Sequence, residues 1–77
     1  MAVRVKAAGH LRYKMPDKAS EVAFEVEPGT RIIDLIDRLG INKAQVWIVR
    51  VNGENVRPEH TLAGDDFVEL FPLVGGG

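Results

Sequence analysis

Apolar and polar positions alternate at both ends of the chain and recur at helical spacing between them. Near the N-terminus Val3, Val5 and Ala7 interleave with Arg4, Lys6 and Ala8, the period-2 pattern of a strand with one wet face, and it predicts a strand over residues 3 to about 11. Tyr13 to Ser20 is polar, contains Pro16 and follows neither period, so it reads as a loop joining two antiparallel strands. Val22, Phe24 and Val26 alternate with Glu21, Ala23 and Glu25 to make the second of them. Glu27-Pro28-Gly29-Thr30 breaks that strand and offers Thr30 as the N-cap of a helix.

Ile32, Leu35, Ile36 and Leu39 follow at i, i+3, i+4 and i+7, with Arg31, Asp34, Asp37 and Arg38 on the other faces. The spacing predicts an amphipathic helix over 31–39, stopped by Gly40 at a left-handed C-cap position. Val46 to Val51, an apolar run containing Trp47, reads as a strand that ends in Asn52-Gly53, the dipeptide suited to a type I′ hairpin. Glu54-Asn55-Val56 is then a short return strand. Pro58 to Asp66 is irregular with Leu62 as a buried anchor, and Phe67 to Phe71 is the last strand before Pro72.

One helix cannot bury its apolar stripe alone, and a four- or five-stranded sheet with one apolar face supplies the other half of a core. The fold class expected is α+β, a mixed four- to five-stranded sheet packed on one main helix. If the first and last strands pair in parallel at the centre, it is the β-grasp (ubiquitin-like) arrangement. The expected division is a domain over 1–74 and a flexible glycine tail over 75–77.

At 77 residues with no cysteine, the chain has material for one core and none for disulfides, thiolate metal sites or thiol nucleophiles. Its net charge of −1 lacks the field that draws proteins onto nucleic acid or anionic membranes, so neither is expected as a partner. No run approaches the roughly 18 apolar residues of a membrane span, and the N-terminus alternates instead of opening as a signal peptide. A cytoplasmic protein is expected. So short a chain leaves little room for a cleft, which favours a carrier, binding module or subunit over an enzyme with its own active site.

The unusual feature is the end, where Gly75-Gly76-Gly77 closes the chain just after a strand. Glycine carries no side chain to pack, so such a tail threads a narrow channel easily, and a glycyl carboxylate is open to activation with no β-carbon in the way. A frayed terminus is the plainer alternative. Phe71, Pro72, Leu73 and Val74 extend apolar surface toward the tail and mark a candidate partner interface, while a core role for Phe71 is the competing one. Arg4, Lys6, Arg12, Lys14 and Lys18 give the first 18 residues five basic side chains against Asp17 alone, either a solvated face or an electrostatic docking surface. His10 and His60 have no ligand spacing, and Asp65-Asp66 fits a turn before a strand better than a paired-carboxylate site, so no metal is assigned.

Val51-Asn52-Gly53-Glu54, Leu62-Ala63-Gly64-Asp65-Asp66, Val68-Glu69-Leu70-Phe71 and the end Phe71 to Gly77 resemble the ubiquitin-like sulfur carriers MoaD and ThiS. Gly9-His10-Leu11-Arg12 and Val26-Glu27-Pro28-Gly29-Thr30 match upstream, so the resemblance covers nearly the whole chain. It implies a β-grasp fold whose C-terminal Gly77 is adenylated by an E1-like enzyme using ATP and converted to a thiocarboxylate that donates sulfur. Gly75 and Gly76 would form the slender stem, with no cofactor bound to the chain. The partner implied is the large subunit of molybdopterin synthase in molybdenum cofactor biosynthesis, or thiazole synthase in the thiamine branch. Relatives also join the same tail to lysines as protein modifiers. The chain departs from the pattern in placing two aspartates after Gly64, Leu73 where the molybdopterin branch often has a second proline, and Gly75 where alanine is common. Gly75 leans toward the thiamine branch, whereas Phe71-Pro72 and the long N-terminal hairpin lean toward the molybdopterin branch.

Overall fold

A computed structural model describes residues 1–73. Five strands, β1 (Ala2–Ala7), β2 (Glu21–Glu25), β3 (Val46–Val51), β4 (Glu54–Val56) and β5 (Phe67–Pro72), form one sheet in the order β2-β1-β5-β3-β4, with the single α-helix α1 (Ile32–Arg38) following β2 in the chain. The central pair β1 and β5 is parallel, with Val5 beside Val68, and every other pairing is antiparallel. This is the β-grasp arrangement.

Alternation assigns the two faces of the sheet. Val3, Val5 and Ala7 of β1, Val68 and Leu70 of β5, and Val49 and Val51 of β3 are buried and form one core cluster with Ile32, Leu35 and Ile36 of α1. Arg4 and Lys6 point to the opposite face, which no helix covers. There Arg4 pairs with Glu21 across the β1–β2 ladder. Leu62 is buried, as the irregular segment around it predicts.

The first strand is shorter than its pattern suggests. β1 stops at Ala7, and Gly9 at φ +57° turns the chain into a 3₁₀ helix, Gly9–Lys14. Both a continued strand and this turn bury Leu11, so alternation alone could not separate them. The following loop holds a second 3₁₀ turn, Pro16–Lys18, and buries Met15.

The helix N-cap is Arg31, one residue later than predicted. Thr30 spends its hydroxyl on the carbonyl of Glu27 in the preceding turn (2.6 Å), leaving Asp34 to serve the helix end by accepting from the Arg31 N–H (2.9 Å). The N–H groups of Ile32 and Ile33 find the carbonyls of His60 and Pro58 (2.9 and 3.0 Å). A loop distant in sequence therefore satisfies donors that a local cap would serve in an isolated helix. The helix ends as predicted in kind. Gly40 is left-handed (φ +74°), and the N–H groups of Gly40 and Ile41 reach the carbonyls of Asp37 and Ile36 in a Schellman closure.

Asn52 and Gly53 both take positive φ (53° and 86°), the type I′ hairpin turn their sequence predicts. Asn52 also reaches across the sheet. Its amide donates to Asp66 (2.9 Å) and its side-chain oxygen accepts from the Phe67 N–H (2.9 Å), while Asp66 accepts from the Ala63 N–H (2.8 Å). The nearly buried Asp66 is thus a lock between the hairpin and the start of β5.

Candidate functional site: the end of the central strand

The chain's C-terminal end issues from β5, which is paired on both sides. Pro72 is buried and lies against the 3₁₀ helix, so that a β-carbon built on Gly9 would stand 3.0 Å from Pro72 Cγ. The Ala8 N–H donates to the Leu70 carbonyl (2.9 Å), tying the same segment to β5. One residue on, the Leu73 N–H donates to the Gln45 carbonyl (2.9 Å), and the Leu73 side chain is 59% exposed. The last described residue is therefore clamped from two sides through its backbone and its neighbour, with its own side chain outward.

On the uncovered face Phe71 is half-buried beside Ile48, its partner on β3, and the Arg50 guanidinium lies 5.2 Å from the ring centroid. Lys6, Ala8, Glu69 and Phe71 line a shallow depression of about 140 Å³ next to it. Arg12 and Lys14, both exposed, sit on the 3₁₀ helix that holds Pro72. The tail exit is thus flanked by an open, partly apolar sheet face and by basic side chains.

Of the sequence-predicted interface residues, the structure brings Phe71 and Leu73 to the surface and turns Pro72 inward as the anchor. Val74, Gly75, Gly76 and Gly77 lie outside the described residues. Trp47 is a surface residue that strand periodicity did not flag. A register shift between Val46 and Ile48 opens a bulge in β3 there, and Trp47 is left 63% exposed. The signal available was the unalternating run Val46-Trp47-Ile48-Val49 in a strand with one wet face. Among the described residues no three His, Asp or Glu side chains converge as metal ligands would, and no helix is long and apolar enough to cross a membrane.

The model of the ThiS family matches residues 9–77, from the glycine that supports Pro72 to the last residue of the tail. The chain belongs to the ThiS family. It is a ubiquitin-like protein of the ThiS/MoaD sulfur-carrier type. The family member's fold is similar to SAMP1 from Haloferax volcanii (22% identity, 100% of each chain covered, TM-score 0.74). It is also similar to a candidate molybdopterin converting factor subunit 1 from Pyrococcus furiosus (24% identity, 96% and 99% covered, TM-score 0.71). A chain in the complex of subunits 1 and 2 of the molybdopterin-converting factor from Helicobacter pylori is similar as well (19% identity, 100% of each covered, TM-score 0.64). At these identities the likenesses establish the shared β-grasp fold.

Proposed function

We propose that this ThiS-family protein carries sulfur on Gly77 as the small subunit of a molybdopterin synthase in the cytoplasm. An E1-like enzyme joins the Gly77 carboxylate to the AMP part of ATP with release of pyrophosphate. Hydrosulfide, or a sulfur donor of the same oxidation level, then displaces AMP, leaving a thiocarboxylate at the chain terminus. Gly75 and Gly76 pass through the channel of the large subunit, where the sulfur bonds to the acceptor and water cleaves the Gly77 C–S bond to return the carboxylate. The chain itself supplies no catalytic side chain in this scheme, and ATP belongs to the activating partner.

The observation that carries the reading is the clamped exit of β5, with Pro72 seated on Gly9 and Leu73 bonded to Gln45, feeding a stretch that ends in three glycines. The complex of subunits 1 and 2 in the Helicobacter pylori relative supports a large-subunit partner. Phe71 and Leu73 form the apolar part of the docking surface, and the basic side chains beginning with Arg4 and Lys6 its charged border. Gly75, in place of the commoner alanine, favours thiazole synthase as the alternative recipient.

The test is the intact mass of the purified chain after incubation with ATP, a sulfur source and native cell extract, beside a variant lacking Gly77. The expected result is the gain from replacing one oxygen by sulfur, absent from the control. An unchanged mass, where a known carrier is converted in parallel, would overturn the proposal. Adducts on target lysines in place of the thiocarboxylate would assign the tail to protein modification instead.

A further inference from the structure

Away from the uncovered sheet face, a groove of about 470 Å³ opens between α1 and the β3–β4 edge. Its floor is apolar, with Ile33, Ile36 and Val56, and Trp47 stands at its lip with most of its ring in solvent. Lys43 and Glu59 also line it. Glu59 follows Pro58, whose carbonyl receives the Ile33 N–H near the start of α1, whereas Lys43 lies on the segment that leaves the end of α1 and enters β3. The two opposite charges thus mark the two ends of the groove. Both are exposed, and among the described residues neither forms an ion pair.

A projecting ring and an apolar hollow on one patch, bordered by one positive and one negative side chain, satisfy what a two-fold interface requires. The same surface must be complementary to itself after a half-turn. We infer that the groove docks a second copy of this chain, each copy placing its Trp47 against the other's floor and its Lys43 beside the other's Glu59. The half-turn exchanges the two ends of the groove, so it creates this ion pair twice and opposes no like charges from this pair of residues. The patch is small beside the roughly 800 Å² per partner of a standard interface, so the association is weak and driven by concentration.

Trp47 is the only tryptophan, so its fluorescence reports the interface directly. Sedimentation equilibrium and emission spectra of the full chain, from about 10 µM to about 1 mM, cover the range of a weak contact. The apparent mass is expected to climb from 8.5 kDa toward twice that value, with the emission maximum moving to shorter wavelength over the same concentrations. Trp47→Ala should stay monomeric with an unchanged circular dichroism spectrum. Lys43→Glu and Glu59→Lys should each weaken association about 3–10-fold, and the double variant Lys43→Glu/Glu59→Lys should restore it. These charge variants keep the inference testable should Trp47→Ala fail to fold. A monomeric mass throughout, a double variant no better than the singles, or an emission shift independent of concentration and abolished by removing Gly75–Gly77 would overturn it. The last outcome would assign the groove to the chain's own end.

Discussion

Gly9→Ala tests whether the 3₁₀ helix sets the departure of β5. Two costs are expected. Gly9 sits at φ +57°, where an alanine costs about 1–2 kcal/mol, and its new β-carbon would lie 3.0 Å from Pro72 Cγ, a close contact that requires one element to shift. Overpacking of this kind costs about 1–3 kcal/mol, for a total of about 2–5 kcal/mol against the roughly 4–12 kcal/mol that a domain of this size has in hand. Gly40→Ala supplies the control, because Gly40 is also left-handed (φ +74°) but has nothing within 4 Å of its would-be β-carbon. It should show the backbone cost alone. Urea denaturation with matched m-values gives both numbers, and thermal midpoints should separate by about 4–8 °C per kcal/mol. Pro72→Ala in the Gly9→Ala background should return part of the loss, since it removes the atom that is struck. A Gly9→Ala variant no less stable than Gly40→Ala would refute the claim that Gly9 is a seat for Pro72.

Asp66→Ala should cost about 2–4 kcal/mol in denaturant titrations, because the Asn52 amide and the Ala63 N–H both lose a charged acceptor; Asp66→Asn, which keeps one oxygen, should cost less. The Arg31 backbone N–H, and after it the Arg31 guanidinium, hold the Asp34 carboxyl below its ordinary pKa. A depressed folded-state pKa adds stability above the unfolded value that is lost as pH falls through the folded one, so this contribution should fade below about pH 4. Asp34→Asn should flatten that part of a pH-stability curve, and an unchanged curve would remove Asp34 from the account. Gly76→Trp should leave the thermal midpoint as it is and abolish sulfur transfer to the large subunit; full transfer by that variant would exclude a narrow channel.

Most of the framework was legible because local and global preferences agree. Helical spacing from Ile32 to Leu39, the Gly40 stop and the Asn52-Gly53 turn each required one conformation, and the core closed around the residues those patterns nominated. Two of the failures share one cause, that a distant segment supplied what local chemistry was expected to supply. Carbonyls of Pro58 and His60 serve the first turn of α1, so Arg31 in place of Thr30 can stand at its start. Gly9 turns against a proline 63 positions later, a contact no window of nearby residues contains. At the candidate site, Leu73 was readable as surface from its place next to the glycines, whereas Phe71 was open between surface and core and lies half-buried. The inward anchor role of Pro72 depends on the sheet having already brought β5 beside β1. Trp47 was hidden by a bulge, which changes the parity that strand reading relies on.

The position of β5 bears on how such a chain can surrender its end to another protein. β2 and β4 are the edges of the sheet, and an edge strand bonded on one side is the part most readily peeled away. The strand that leads to the glycines is instead central, laddered to β1 on one side and β3 on the other, with Val68 and Leu70 fully buried beneath it. Insertion of the tail into a partner would load that strand along its length, across two ladders and the Pro72 seat at once. The Leu73 bond to Gln45 is the outermost of these restraints and the first a partner would replace. On the proposed function, the boundary between what stays folded and what is handed over therefore lies just beyond Pro72, where buried packing gives way to an exposed leucine.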